Sequence, residues 1–270
     1  MSSAWSDPDY LRSRQYRDAS NLDVRIQLHQ RFSTNGYDFH RWVFDHVLDV
    51  LFTDGEVLEA GCGSAELWRK NLDRLPSGWY VTLTDFSPGM VEAAERVVAG
   101  HEAQFTVREA NIQELPFPDA SFDVAIANHM LYHVPDREQA LAELRRVLRP
   151  GGRLFAATNG QNHMAGLMEL VAPYLPAATP HPSDYGRGFS LENGAEQLAR
   201  QFVRVSLDRY EDGLVITEAG PLLAYILSMS MAHALSQEDI ARLAKDLEDR
   251  IAANGAVRIA KETGLFVAIR

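Results

Sequence analysis

The feature that most limits the fold is an alternation. Five short β-rich runs, EVLEA, YVTLTD, AQFTVRE, FDVAIAN and GRLFAAT, are separated by segments with helical periodicity. Strands joined by single crossover helices run parallel and bury both faces, so the pattern predicts an α/β fold with helices on either side of a sheet. Asp136 is placed to open one helix, which carries Ala140, Leu141, Leu144, Val147 and Leu148 on one face and stops at Arg149-Pro150-Gly151-Gly152. Ser87 is expected to cap another, beginning at Pro88 and running through Met90, Val91, Ala94 and Val97.

Around this core the pattern changes. Residues 21–52 read as a helical preface in which Phe39, Trp42, Val43, Val47, Val50 and Leu51 form one apolar stripe. After Thr158 a helix and an irregular loop with prolines at 173, 176, 180 and 182 read as a lid. Strands are expected at 202–210 and 214–217, helices at 221–235 and 237–254, and a last strand at 264–270. Residues 1–270 are thus expected to form one domain: a preface (1–53), a core (54–158), a lid segment (159–200) and C-terminal strands with inserted cap helices (201–270).

Composition narrows the function. With 46% hydrophobic and 23% charged residues, most of the chain can bury a core and disorder is excluded. A net charge of −11 argues against nucleic acid or anionic lipid as a partner. The single cysteine, Cys62, forms no intrachain disulfide, no Cys/His cluster has metal spacing, and MSSAWSDPDY lacks a signal-peptide pattern; a cytoplasmic protein without bound metal is expected. The apolar run 219–235 is interrupted by Gly220, Pro221, serines and His233 and is shorter than the roughly 20 residues of a bilayer span, so it reads as a buried or cavity-facing helix.

The first strand runs into Glu59-Ala60-Gly61-Cys62-Gly63-Ser64-Ala65. Two glycines at a strand end allow a sharp turn against which a ligand can lie, and open parallel sheets bind ligands at the carboxyl ends of their strands. The second strand ends in Asp85, about twenty residues beyond Gly63, where a carboxylate can accept both hydroxyls of a ribose. Glu66 stands where a dinucleotide site has its third glycine, and Glu59 adds negative charge, which suits a cationic nucleoside better than a pyrophosphate.

VLEAGCGSA, LTDFSPGMVEAA, ELPFPDASFDVAIANHMLYHV and LAELRRVLRPGGRLFAAT together resemble the class I S-adenosylmethionine-dependent methyltransferases, particularly the ubiquinone/menaquinone-biosynthesis group. That resemblance, over residues 57–158, implies a Rossmann-like fold: a mostly parallel seven-stranded sheet with only the last strand antiparallel. N-terminal helices and a helical cap complete it. It implies S-adenosylmethionine as cofactor, with Glu59, Gly61, Gly63 and Asn128 around the methionine portion, Asp85 on the ribose, and Phe86 and Ile112 against the adenine. Cys62 and Met90 complete that set. Asn111 stands where the family usually has Asp to accept from the adenine amino group, and its amide oxygen can also accept.

The expected activity is methyl transfer to a small organic acceptor by aligned displacement. A cofactor-binding regulatory protein without turnover is the alternative, and a nicotinamide-dependent oxidoreductase a weaker third. If the acceptor needs a general base, His133 is the candidate, although it also reads as ordering the loop before Pro135; His129, Tyr132 and Tyr185 are candidate substrate contacts. In the lid, His163, His181, Asp184 and Phe189 read either as further substrate contacts or as parts of a Pro-rich surface turn, and Arg14, Tyr16, Arg17 and His29 read first as solvated surface and second as groups that close over the donor or bind a substrate anion. Leu222, Leu223, Tyr225, Ile226, Met229 and Met231 read as walls of an acceptor cavity, as core, or as the contact of a homodimer.

Overall fold

The computed structural model describes residues 20–51, 53–176 and 188–270, with side chains from residue 24. Its elements are α1 (Ser20–Phe32), α2 (Phe39–Leu48), β1 (Asp54–Ala60), α3 (Glu66–Arg69), β2 (Gly78–Asp85), α4 (Pro88–Val98), β3 (Phe105–Glu109), β4 (Phe122–Asn128) and α5 (Arg137–Val147). Then come β5 (Leu148–Asn159), α6 (Ala165–Val171), α7 (Gly194–Ala199), β6 (Arg204–Tyr210), β7 (Gly213–Ile216), α8 (Ala219–Leu227), α9 (Gln237–Asn254), β8 (Val257–Ala260) and β9 (Thr263–Ile269).

Seven strands form one sheet in the order β3-β2-β1-β4-β5-β9-β6. β1, β2, β3, β4 and β5 pair in parallel, and β9 pairs antiparallel with β5 and with β6. The expected topology is therefore present, with β9 the reversed strand. Strand order reverses between β1 and β4, where the crevice of a doubly wound sheet opens.

Alternation along each strand divides the core. On one face Leu58, Ala125 and Leu154 pack with Ala140, Leu141 and Leu144 of α5. On the other, Val57, Val124, Ile126 and Phe155 meet Val43, Phe44 and Val47 of α2 and the buried Trp68 and Trp79. Asp136 caps α5 by accepting from the Gln139 N–H at 3.0 Å, as its position predicts. A third apolar cluster joins Leu28 and Phe32 of α1 to Leu167 and Val171 of α6, Leu222 and Ile226 of α8, Leu243 and Leu247 of α9, and Ile259 of β8.

Four local expectations need correction. The preface is two helices, because at residues 33–35 the backbone turns to other partners: Thr34 N–H donates to Gly213 O at 2.9 Å, and the Thr34 and Asn35 amides reach the Asp212 carboxylate at 3.1 Å. The helix expected over 221–235 ends at Leu227 and resumes as a tight turn over Ser230–Ala234, with Met231 buried in the cap. Ser87 occupies the N-cap position of α4, but its side chain makes no capping bond to that helix. β8 was not foreseen; it pairs antiparallel with β7 in a separate two-stranded sheet. Four residues of alternating pattern following a long helix carry too little signal.

Candidate active site

A cavity of about 830 Å³ opens at the carboxyl ends of β1, β2, β4 and β5. That lies toward the upper end of the roughly 300–1,000 Å³ of small-molecule pockets, enough for more than one small molecule. Glu59, Gly61, Cys62, Gly63, Asp85, Phe86, Met90, Asn111, Ile112 and Asn128 all line it, and so do His129, Tyr132 and His133. Tyr185, His181, Asp184, Arg14, Tyr16 and Arg17 lie outside the described residues.

The turn after β1 is built from left-handed residues: Gly61 at φ 70°, Gly63 at φ 55° and Ala65 at φ 58°. At Gly61 an added Cβ would meet the Met130 side chain at 2.8 Å, so glycine is required by conformation and by space. The Gly63 N–H donates to Asp85 Oδ2 at 2.9 Å, and the Ser87 N–H to Asp85 Oδ1 at 2.8 Å. The Phe86 N–H is a third backbone donor to this carboxylate, so one of its four lone pairs is left for a ribose hydroxyl. Burial pushes the Asp85 carboxyl upward, against the pull of these backbone donors.

Glu59 is 2% exposed. Its Oε2 accepts from Trp68 Nε1 at 2.6 Å and its Oε1 from Asn128 Nδ2 at 3.3 Å. Burial nevertheless pushes its carboxyl up to about 8, with the charge of Asp85 adding to the effect. Asn128 Oδ1 is buried without a hydrogen-bond partner among the described residues. An acceptor left open beside a buried carboxyl calls for a donor that is also a cation, so the residues fit the amino-acid end of S-adenosylmethionine. Cys62 is buried and its thiol pushed well up by burial, so it packs the turn and is no nucleophile. Asn111 Oδ1 already accepts from the Gln113 N–H at 3.0 Å and from Gln113 Nε2 at 3.3 Å, so it can accept from an adenine only by giving up the longer, side-chain bond.

The far end of the cavity holds groups that local sequence pattern did not single out. Lys261 pairs with Asp212; the two side chains are 9% and 1% exposed. Asp212 Oδ1 also accepts from Ser33 Oγ at 2.6 Å and from the Gly213 N–H at 2.7 Å. Burial alone would raise this carboxyl, but the bonds from Lys261 and Ser33 hold it down at about 2. His29, His129 and His163 line the same space. Burial, aided in each case by the charge of Lys261, lowers them to about 3, about 3 and about 4, so all are neutral near pH 7. Neither Lys261 nor Asp212 sits in a recognisable motif, and they meet because β7 pairs with β8. Of the apolar candidates in the 219–235 run, Tyr225 and Met229 line the cavity, whereas Leu222, Ile226 and Met231 belong to the core.

Comparison with known proteins agrees with this geometry. Residues 58–156 match the family described as "Methyltransferase domain". Those residues, the stretch from β1 to β5, are thus similar to a methyltransferase domain. The chain is 33% identical over 152 residues to the demethylmenaquinone methyltransferase of Listeria welshimeri, covering 56% of this chain and 64% of that one. It is also 33% identical over 125 residues to that of Listeria monocytogenes, covering 46% and 53%. The chain spans about half to just under two thirds of the length of the curated relatives it matches.

Among solved structures, YcgJ from Bacillus subtilis superposes with TM-score 0.58 at 18% identity, covering 86% of this chain and 98% of that one. Phosphoethanolamine N-methyltransferase 2 from Haemonchus contortus, in complex with phosphomonomethylethanolamine and S-adenosylhomocysteine, gives 0.60 at 16% identity, covering 100% and 60%. At such identities these neighbours speak for the methyltransferase fold alone. Among the described residues no helix is long and apolar enough to cross a membrane.

Proposed function

We propose that the protein transfers the methyl group of S-adenosylmethionine to a small-molecule acceptor. One observation carries the reading: a single cavity begins at the acid-and-glycine turn and continues past Asn128 and His129 into a second compartment roofed by the cap. When bound, the cofactor supplies a methyl on a sulfonium, whose bond pair stays with sulfur as the methyl leaves.

The chain's own residues then have positioning to do. Asp85 holds the ribose, Phe86 and Ile112 flank the adenine, and Glu59 with Asn128 takes the amino-acid end. His129, Tyr132 and His133 line the stretch of cavity next to that site, where they would orient an acceptor beside a bound donor. His133 is the proposed general base for an acceptor that must lose a proton. The net charge of −11 supports a small acceptor over nucleic acid. The proposal extends to a cytoplasmic setting and to a homodimer as the assembly to be tested by light scattering.

Isothermal calorimetry with S-adenosylhomocysteine tests the donor site, and incubation with methyl-labelled donor and a cell extract tests turnover. Heat together with a labelled small molecule is expected. Heat without any labelled product would replace the enzyme by a cofactor-binding regulatory protein, and absence of heat would overturn both readings.

A further inference from the structure

Resting on the transferase reading, we propose that Lys261, with His29, His129 and His163, forms the acceptor subsite and anchors a monoanionic oxygen of the methyl acceptor. Lys261 is a buried ammonium facing a cavity, and Asp212 is its hydrogen-bond partner. An ammonium carries three donors, so the pair leaves donors for something else. Asp212 is satisfied independently, because its other oxygen accepts from Ser33 Oγ and from the Thr34, Asn35 and Gly213 amides. Its charge is thus spread over the loop, and it fixes Lys261 in place without occupying it fully.

The surrounding polar atoms point the same way. His29 Nδ1 is buried without a hydrogen-bond partner among the described residues. The His129 ring packs on Phe39 at 5.2 Å, and no hydrogen bond to its nitrogens is made among the described residues. Neutral imidazoles offer an N–H to an oxyanion without adding charge, and their low basicity suits donors better than proton acceptors. His129 directly follows Asn128, which bonds Glu59, so this cluster adjoins the donor end.

The type of anion follows from what is missing. Arg25 lines the cavity, but its guanidinium donates to Ser228 O at 2.6 Å and to Ser228 Oγ at 3.1 Å, so no free fork offers the bidentate grip typical of phosphate sites. The Lys261–Asp212 pair is neutral as a whole, so its remaining N–H donors can hold one oxyanion by charge-assisted hydrogen bonds, and a second negative charge would meet no further cation there. Phe39, Tyr225, Met168 and Met229 supply apolar walls for the rest of the molecule. A carboxylate and a phenolate or enolate share this chemistry, and a protonated amine is repelled by it.

The test uses full-length protein saturated with S-adenosylhomocysteine, whose own isotherm reports separately on the donor site. Benzoate, 4-nitrophenolate, benzyl alcohol, benzylamine and inorganic phosphate are then titrated. At least one of the first two is expected to bind tenfold or more tighter than benzyl alcohol and benzylamine, and which one does so separates carboxylate from phenolate acceptors. Lys261→Met should abolish that preference while changing S-adenosylhomocysteine affinity less than threefold. Lys261→Met paired with Asp212→Asn serves if the single variant misfolds, since it removes both buried charges together. Equal binding of charged and neutral probes, a preference for phosphate or benzylamine, no binding of either anion, or an anion preference surviving in the variants would overturn the proposal. Failure of S-adenosylhomocysteine itself to bind would instead overturn the donor reading.

Discussion

The Asp85 carboxylate accepts the Gly63 N–H at 2.9 Å, which ties the end of β2 to the turn after β1, beside the switch point of the sheet between β1 and β4. One side chain therefore shapes the glycine turn and presents an acceptor to the sugar. Asp85→Ala removes both roles. Because hydrogen bonds to charged groups contribute about 1.5–3 kcal/mol each, S-adenosylhomocysteine affinity should fall by about tenfold to hundredfold in calorimetry. A loss under twofold would show that the ribose is held elsewhere.

Gly61→Ala should destabilise the fold and weaken the donor site together. A left-handed backbone costs a non-glycine residue about 1–2 kcal/mol, and the new methyl would press on Met130. Urea unfolding should show a lower midpoint with unchanged slope, and an unaltered midpoint would contradict the turn geometry described above.

Glu59 makes ligand-free stability depend on pH with a definite sign. Its folded value of about 8 exceeds the unfolded value of about 4.3, so the folded chain holds a proton that the unfolded chain has lost. Stability from this group is full below about pH 4.3 and is lost as pH rises through about 8. Glu59→Gln should therefore match wild type in thermal melting near pH 5 and melt several degrees higher at pH 8.5 to 9, while binding the cofactor more weakly. A melting difference that shrinks as pH rises would refute the assignment.

The same buried carboxyl predicts proton release. A cation seated beside Glu59 favours its ionised form, so S-adenosylhomocysteine binding near pH 7 should liberate up to one proton. Calorimetry in buffers of different ionisation enthalpy measures this directly, and a buffer-independent heat would count against it.

The histidines act in the opposite direction. His29, His129 and His163 have folded values of about 3, about 3 and about 4, against about 6.5 unfolded, so below pH 6.5 the unfolded chain takes up protons that the folded chain refuses. Asp212 stays ionised down to about 2 and contributes nothing in this window. Three such groups outweigh Glu59, and the urea midpoint should drop between pH 7 and pH 5. His129→Asn, which tolerates the left-handed φ of 52° at that position, should reduce the drop by more than half, because Glu59 already offsets part of the three histidine contributions.

The donor half of the site was legible because its parts are local. Glu59, Gly61 and Gly63 follow one strand, Asp85 ends the next, and Asn128 ends the fourth. The β-rich runs and helical stripes between them specify where each strand stops, and a parallel sheet places those ends side by side. Asp136 capped its helix as expected for a similarly local reason, and Ser87 kept its place in the chain without the expected bond.

The acceptor half was decided by the tertiary structure. Lys261 and Asp212 lie 49 residues apart, and no periodicity or motif connects them to each other or to His29 and His163. The break between α1 and α2 belongs to the same set, since its amides turn toward Asp212 in place of continuing a helix. Sequence by itself determined the sheet, the direction of its strands and the turn that meets the nucleoside, because those depend on residues near one another in the chain. How the cap closes depends on burying α1, α6, α8 and α9 against one another, and that packing sets which distant charges face the cavity.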